Sequence, residues 1–411
     1  LNAVTEVRAN AEDPRVPVSA ANFYEFFGLN ALGLSAAGVT VTTDTAMGVP
    51  AIWGAVNFLS STLASFPLHV YRRRGDDRDR VRGDIVRMLN EAPNDELTSY
   101  QWRKNLWTNV FTGGRGFTFI ERGGNSVPKF LWELDPVAMR VRRVDGRRRY
   151  EYRDGSKQLV YEARDIIDIP FVLKPNGVDH RGPIASNKDV VGLAIGATQY
   201  ASKFFQGGGV PPFAVTGNFV SAGALQRAAE DLAEAVKKAA KEQRQALVLP
   251  SGLDIKPIGA DPEKAQLIEA HRFIIEQIAR IYSLPPLFVQ DLSKLSYSNA
   301  EQQDLHLAKH TLTGWQKQFE QELNLKLFGR TSNVQFVEGS MDAILRGDFK
   351  TRMEGHARAI ASGVATPNEA RRLENRPDMP GGDRLYMQGA MMPIEALGQN
   401  AAPASPGDMN L

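Results

Sequence analysis

The chain has 411 residues, 43% apolar and 23% charged, which is ordinary for a soluble protein and enough for two or three domains with their own cores. A net charge of +2 argues neither for nor against nucleic acid, so any polyanion contact must come from local patches. With no cysteine, disulfides, zinc ribbons and cysteine nucleophiles are excluded.

No apolar run reaches the roughly 18 residues that span a bilayer, and the first ten residues lack the basic-then-apolar order of a secretory leader. Residues 1–44 are weakly patterned and are expected to form a partly ordered arm. Residues 50–65 predict an amphipathic helix with Ile52, Val56, Leu59 and Leu63 on its inner face, stopped by Pro67. A strand is predicted from Leu68 to Tyr71. The mixed charges from Arg72 to Arg82 then read as a solvated hairpin tip. A short helix should run from Ile85 to Asn90. Thr98 and Gln101 form a capping box opening a helix to Phe111, with Trp102, Leu106, Trp107 and Val110 on one face. Gly113–Gly114–Arg115–Gly116 lacks the phosphate-loop pattern and reads as a strand entry.

Residues 117–170 are β-rich. Strands are predicted at 117–121, 129–134, 139–144, 148–153 and 166–169, with Asp145–Gly146 and Asp154–Gly155 as tight turns. Arg140, Arg142, Arg143, Arg147, Arg148, Arg149 and Arg153 crowd this region, opposed by Asp145 and Glu151. Alternation puts several of them on one face, and Arg140, Arg142, Arg147 and Arg149 form a candidate polyanion patch, with a subunit or solvent face as the competing reading.

Residues 184–206 predict one helix whose small residues (Gly192, Ala194, Gly196, Ala197 and Ala201) favour close approach of another helix, ending at Gly207–Gly208–Gly209. A small α/β unit follows. It comprises a strand at 213–219, a charged helix at 221–244 and strands at 246–249 and 253–257. Asp261–Pro262 starts the next helix, striped by Leu267, Ile274, Ile278 and Ile281. Pro285–Pro286 should stop it. Residues 284–297 then form an apolar loop between two long helices, with only Asp291 and Lys294 charged. So apolar a loop must be packed within a domain or shielded by neighbouring subunits. Ser298 and Glu301 form a second capping box, opening a helix to Phe328 with a stripe of Leu305, Ala308, Leu312, Trp315, Phe319 and Leu323 and a bend expected at Gly314. A strand at 334–337 and a helix at 345–362 bearing Met353, Ala357 and Ile360 come next. Thr366 to Glu369 is a third capping box, and the tail from 391 on is expected to be disordered.

His306 and His310, one turn apart near Asp304, invite a metal reading, but Leu307 stands where the zincin pattern needs glutamate. There is no nucleophile elbow and no dinucleotide fingerprint. No cofactor and no enzymatic activity are expected.

Several segments together resemble the tailed-phage portal proteins, of the branch found in long-tailed phages and gene transfer agents, over residues 45–390. They are Met88 to Asn94 (M-L-N-E-A-P-N), Asp165 to Ile169 followed by Asp179 to Ile184, Gln199 to Gly208, Ile278 to Pro286 with Ser296 to Gln302, and Thr366 to Arg371 with Pro380 to Asp383. The chain departs from the family at Gly182, where serine is usual, at Gly314, near which a proline is common, and at the Gly114–Phe117 turn.

The resemblance implies an α+β portal fold. Residues 1–44 are the arm, 45–182 and 298–340 the wing, 183–207 and 259–283 the two stem helices, 208–258 the clip, 284–297 the tunnel loop, 341–390 the crown-side helices and 391–411 the tail. It also implies a homo-oligomeric ring, typically a dodecamer, at one capsid vertex of the virion, assembled in the host cytoplasm. Double-stranded DNA would pass through without sequence specificity. Terminase large subunit, head–tail adaptor and major capsid protein are the further partners, and no membrane is involved. Mapped onto this chain, the channel residues are Leu287, Gln290, Asp291, Ser293, Lys294, Leu295 and Ser296. The docking residues of the clip are Glu230, Glu234, Lys237, Lys238, Lys241 and Arg244. Two other readings compete: a helical scaffold or adaptor that never touches DNA, and a nucleotide-hydrolysing enzyme using the glycine-rich turns.

Overall fold

A computed structural model describes residues 34–75, 77–206, 213–217, 253–257, 264–289, 303, 305–330, 334–341, 349–374 and 376–386, with scattered helical positions between 223 and 238. It divides into two compact units, Leu1–Met341 and Asp342–Leu411. Most of the expected arm, the strand at 246–249, the helix start at Asp261–Pro262, the Ser298–Glu301 box and the tail lie outside the described residues.

In the first unit, α1 (Thr43–Met47) is opened by a reciprocal cap between Thr42 and Thr45 that the sequence reading overlooked. Proline at the first helical position starts α2 (Pro50–Ser65). The predicted stripe of Ile52, Val56, Leu59 and Leu63 is buried to 1% exposure or less. β1 (Leu68–Arg74) and β2 (Asp77–Arg80) make the charged hairpin, with Arg72 opposite Asp79 and Arg74 opposite Asp77. Between α3 (Asp84–Asn90) and α4 (Ser99–Thr112), buried Asn94 stitches the turn together. Its Nδ2 donates to the Leu131 carbonyl at 2.8 Å, and its Oδ1 accepts from the Glu96 and Leu97 amides at 2.9 and 2.8 Å. The capping box of α4 is present, and Trp102, Leu106, Trp107 and Val110 are fully buried.

β3 (Arg115–Arg122), β4 (Pro128–Leu134), β5 (Met139–Val144), β6 (Arg147–Asp154), β7 (Lys157–Glu162) and β8 (Ile166–Pro170) form two antiparallel three-stranded sheets, ordered β4–β3–β8 and β5–β6–β7. β7 escaped the sequence reading because it is exposed along nearly its whole length and shows no apolar alternation. Asp145 and Gly146, with φ of 49° and 75°, close the β5–β6 hairpin as expected for a type I′ turn. The β6–β7 turn is Gly155–Ser156, one residue later than predicted, since Asp154 still pairs with Lys157. Phe117, Leu134, Tyr150 and Ile166 form the core between the sheets.

A short ladder of β9 (Val172–Leu173) with β10 (His180–Arg181) leads to two glycine-bearing segments that pass at backbone contact. A Cβ at Gly114 (φ +91°) would lie 2.2 Å from the Gly182 Cα, and one at Gly182 would lie 2.7 Å from the Gly113 carbonyl oxygen. This crossing explains glycine in place of serine at 182. The single helix expected over 184–206 is two, α5 (Pro183–Ser186) and α6 (Lys188–Gln206). Asn187 breaks it at φ −121°, ψ 32°, its Nδ2 donating to the Pro183 carbonyl at 2.8 Å. Gly192 and Gly196 do not serve helix approach: residues 34–41 pack over them. A Cβ at Gly192 would lie 2.1 Å from Ser35 Oγ, and the Ala36 amide donates to Asp189 Oδ1 at 2.9 Å.

β11 (Phe213–Gly217) pairs antiparallel with β12 (Leu253–Pro257). α7 (Lys264–Ile281) buries Ile274 and Ile278. Among the described residues the long helix is α-helical at 303, at 305–307 and in α8 (Thr313–Leu323), with π-helical turns at Ala308–Leu312 and Asn324–Phe328. The irregularity therefore precedes and follows Gly314 rather than falling on it. One extra residue per turn shifts the phase of the stripe, so Leu307, Ala308, Thr311 and Leu312 are buried while Leu305 is 45% exposed. β13 (Gln335–Gly339) returns beside β1, giving the order β13–β1–β2.

In the second unit, α9 (Phe349–Ala361) leaves Ala357 exposed, while Met353, His356, Ala359 and Ile360 are half-buried. The predicted capping box opens α10 (Pro367–Leu373). Fully buried Asn368 exchanges hydrogen bonds with the Met379 carbonyl (3.0 Å) and amide (2.8 Å), tying the Pro380–Gly381–Gly382 turn to the helix start. Arg352 and His356 reach Glu374 at 3.0 and 3.2 Å, and the Arg352 hydrogen bond is the main cause holding that carboxyl down at about 2.

Candidate functional site

The apolar loop after α7 is rooted more firmly than its prolines alone would achieve. α7 ends at Ile281, ahead of Pro285–Pro286. Ser283 takes the left-handed conformation (φ 53°). The Ser283 amide donates to the Arg280 carbonyl at 3.1 Å and the Leu284 amide to the Ala279 carbonyl at 2.9 Å, closing a Schellman motif with Leu284 turned inward at 5% exposure. Thr311 Oγ1, within the first π turn, donates to the Ser283 carbonyl at 2.6 Å. The hydroxyl of buried Tyr282 donates to the Phe111 carbonyl at 3.0 Å, and burial pushes that phenol well above its ordinary pKa. The loop's first turn, Pro286–Val289, is 3₁₀-helical, and the Phe288 ring lies 5.0 Å from that of Phe58. Leu287 is half-buried there. Gln290, Asp291, Ser293, Lys294, Leu295 and Ser296 lie outside the described residues.

Glycine adopts the left-handed region without the Cβ penalty that Ser283 carries. Ser283→Gly is expected to raise stability by about 0.5–1 kcal/mol, seen as a higher urea midpoint of the purified chain. A lower midpoint would show that the serine side chain itself holds the cap.

A buried charge network ties this root to the sheets, and no sequence signal announced it. Arg115 at the start of β3 makes a two-pronged ion pair with Asp168 on β8, at 2.6 Å for both bonds. The Tyr150 hydroxyl donates to Asp168 Oδ2 at 2.7 Å and Arg148 approaches it at 3.4 Å. The Asp168 carboxylate is fully buried and the Arg115 side chain only 3% exposed. Burial alone would lower the Arg115 pKa, but the hydrogen bond and charge of Asp168 outweigh it and the net shift is upward. Burial, reinforced by Asp168, raises Tyr150. From α8, Glu322 accepts the Asp168 backbone amide at 3.1 Å and pairs with Lys326 at 3.4 Å. Burial pushes the Glu322 carboxyl upward. Arg122 adds a 2.7 Å pair with Asp165 and donates to the Lys326 carbonyl at 2.8 Å.

The register of β5 with β6 places Arg140, Arg142, Arg147 and Arg149 on one face, Arg142 directly opposite Arg149. The other arginines of this stretch divide. Arg153 extends the same face, whereas Arg148 turns to Asp168 and Arg143 donates to the Gly146 carbonyl at 2.9 Å. The face is less basic than expected because β7 supplies Glu162, 3.2 Å from Arg149, while Glu151 lies 3.5 Å from Arg142. Among the described residues, Arg140 and Arg147 make no ion pair on this face.

In the charged helix, Glu230, Glu234 and Lys238 are exposed helical positions, with Leu232 turned inward at 6% exposure. Lys237, Lys241 and Arg244 lie outside the described residues. The His306 and His310 rings are 4.5 Å apart, and no cluster of three metal-ligating side chains occurs among the described residues. No helix among the described residues is long and apolar enough to cross a membrane.

Residues 50–375 match the family described as "Phage portal protein". The chain is 28% identical over 366 residues to the probable portal protein of Streptomyces phage phiC31, covering 85% of this chain and 79% of that protein. It is 25% identical over 378 residues to the portal protein of Enterobacteria phage HK97, covering 90% and 88%. Among solved structures, it superposes with a TM-score of 0.57 on a chain from the neck of an empty gene transfer agent particle computed with C6 symmetry, at 19% identity over 82% of this chain and 94% of that one. The corresponding neck of a native particle, computed with C12 symmetry, gives 0.56 at 18% identity over 81% and 91%. An HK97-family portal protein from Corynebacterium diphtheriae gives 0.54 at 14% identity over 74% and 96%. At these identities the structural matches speak for the fold alone, mixed helix and sheet as in those chains.

Proposed function

Because the chain belongs to the phage portal protein family, we propose that identical copies close into a ring, a dodecamer, at one capsid vertex, and that duplex DNA passes along its axis during packaging and ejection. The family match over residues 50–375 carries this reading. The sixfold and twelvefold symmetry of the structurally similar neck particles supports the ring. In this assignment residues 45–182 and 298–340 form the wing, 183–207 and 259–283 the stem, 208–258 the clip, 284–297 the tunnel loop and 341–390 the crown-side end.

The physics of a closed heterologous ring suits a conduit, since every subunit presents the same residues to the lumen. One Lys294 per copy becomes a collar of positive charge, and its apolar neighbours Leu292 and Leu295 form no bonds with phosphate. Such contacts are sequence-independent and weakened by salt, which lets a duplex slide. The exposed Glu230, Glu234 and Lys238 suit a clip surface whose partners are exchanged, terminase first and the head–tail adaptor afterwards. The wing arginines offer a further surface to the capsid protein or to DNA. The family role is structural, and no step here requires catalysis.

Electron microscopy of the purified full chain should show rings with an axial hole, and particles without one would overturn the assignment. Lys294→Glu should leave ring assembly intact and reduce the DNA packaged or retained per particle. Unaltered packaging and retention would remove Lys294 from the channel.

A further inference from the structure

One face of α2 points away from the core and forms, with α6, α7 and the Pro286–Val289 turn, a groove of about 770 Å³. That size lies within the ~300–1,000 Å³ range of binding clefts. Its walls are Gly54, Asn57 and Phe58 on α2, Ala194 on α6 and Ile275 on α7, and Trp53 stands at its edge 56% exposed. The lining is predominantly apolar, and an apolar cleft edged by an exposed tryptophan is a surface awaiting a partner.

We propose that the groove is the seat of this chain's own N-terminal aromatic segment, residues 23–29. Phe23–Tyr24–Glu25–Phe26–Phe27–Gly28–Leu29 has five large apolar side chains in seven positions and a single charge. Such a run gains by burial whatever apolar area it can cover. The described chain begins at Leu34, which sits beside α6: Ser35 packs on Gly192, and Ala37 and Val39 on Gly196. The Gly192 and Gly196 flank of α6 carries this segment, and the Ala194 flank walls the groove. Five residues, from Leu34 back to Leu29, span up to roughly 17 Å when extended. A helix with its side chains is about 10–12 Å across, so the path half-way round it is about 17 Å. The segment therefore reaches round α6 into the groove of its own subunit. This inference stands apart from the ring, and its test reads differently.

The chain has no cysteine, so single introduced thiols report unambiguously. Bimane attached to Asn57→Cys in the full chain should emit blue-shifted, as from a dry site. Adding F23S, F26S and F27S should shift the emission to the red while the far-ultraviolet circular dichroism stays unchanged. Emission that does not respond to the three substitutions overturns the proposal and leaves the groove to residues 290–302 or to another molecule. A short bismaleimide should join Phe26→Cys to Asn57→Cys within one chain. Cross-linking between chains when F26C and N57C are carried on separate co-assembled copies, or no cross-link at all, overturns occupancy by the chain's own segment. Rings forming normally in either outcome would leave the portal assignment untouched.

Discussion

Asp168→Ala is expected to lower the stability of the chain by about 3–5 kcal/mol, measured by urea unfolding of the dissociated subunit. The carboxylate is fully buried and receives both prongs of Arg115, the Tyr150 hydroxyl and the approach of Arg148. Removing it leaves a guanidinium that is only 3% exposed with the Val178 carbonyl as its remaining acceptor. That loss is larger than the net worth of the pair, because burying both charges already cost most of their mutual attraction. Arg115→Met combined with Asp168→Leu should therefore recover much of the loss, since a well-packed apolar pair replaces a desolvated ionic one. If the single and double variants were equally unstable, the network would matter through its links to Tyr150 and Glu322 instead. Arg78 on the exposed hairpin, paired with Glu338 of β13, offers the contrast, and Arg78→Ala should cost less than about 1 kcal/mol.

Phe319→Ala should cost about 3–5 kcal/mol in the same assay. The ring is 1% exposed and meets Trp107 edge-on at 5.6 Å and Trp102 at 6.2 Å. Trp107 in turn stacks on Phe111 at 5.7 Å, whose backbone carbonyl holds Tyr282. Truncation opens a cavity between α4 and α8 that two indoles cannot collapse to fill. Phe319→Leu, which keeps most of the volume, should cost under about 1.5 kcal/mol. Because α8 continues from the π turn carrying Thr311, loosening this cluster also loosens the root of the apolar loop. Tryptic cleavage near Arg280 should quicken in the alanine variant, and an unchanged rate would show that the Schellman cap holds the root by itself.

The chain's local signals translated well because their physics is local. Thr98 with Gln101 and Thr366 with Glu369 satisfy helix-start amides three residues away, and both boxes formed. The α2 stripe follows from helical period, and the Asp145–Gly146 turn from the left-handed tolerance of those two residue types. Five ordered motifs also carried the family resemblance. What no local window holds is the choice of a partner far along the chain. Arg115 and Asp168 are 53 residues apart, and the Arg122 contact with the Lys326 carbonyl spans 204. Nothing in the string of arginines from 140 to 153 says which turns inward, since strand period assigns faces but not which face is covered. Likewise the glycines of α6 announce a close neighbour without naming it, and packing supplied residues 34–41. Composition, caps and turns were thus determined by the sequence alone, because they rest on backbone bonds between near neighbours. Ion-pair partners, the phase shift at the π turns and the occupant of each small-residue face were decided only by tertiary structure, because burial is a property of the folded whole.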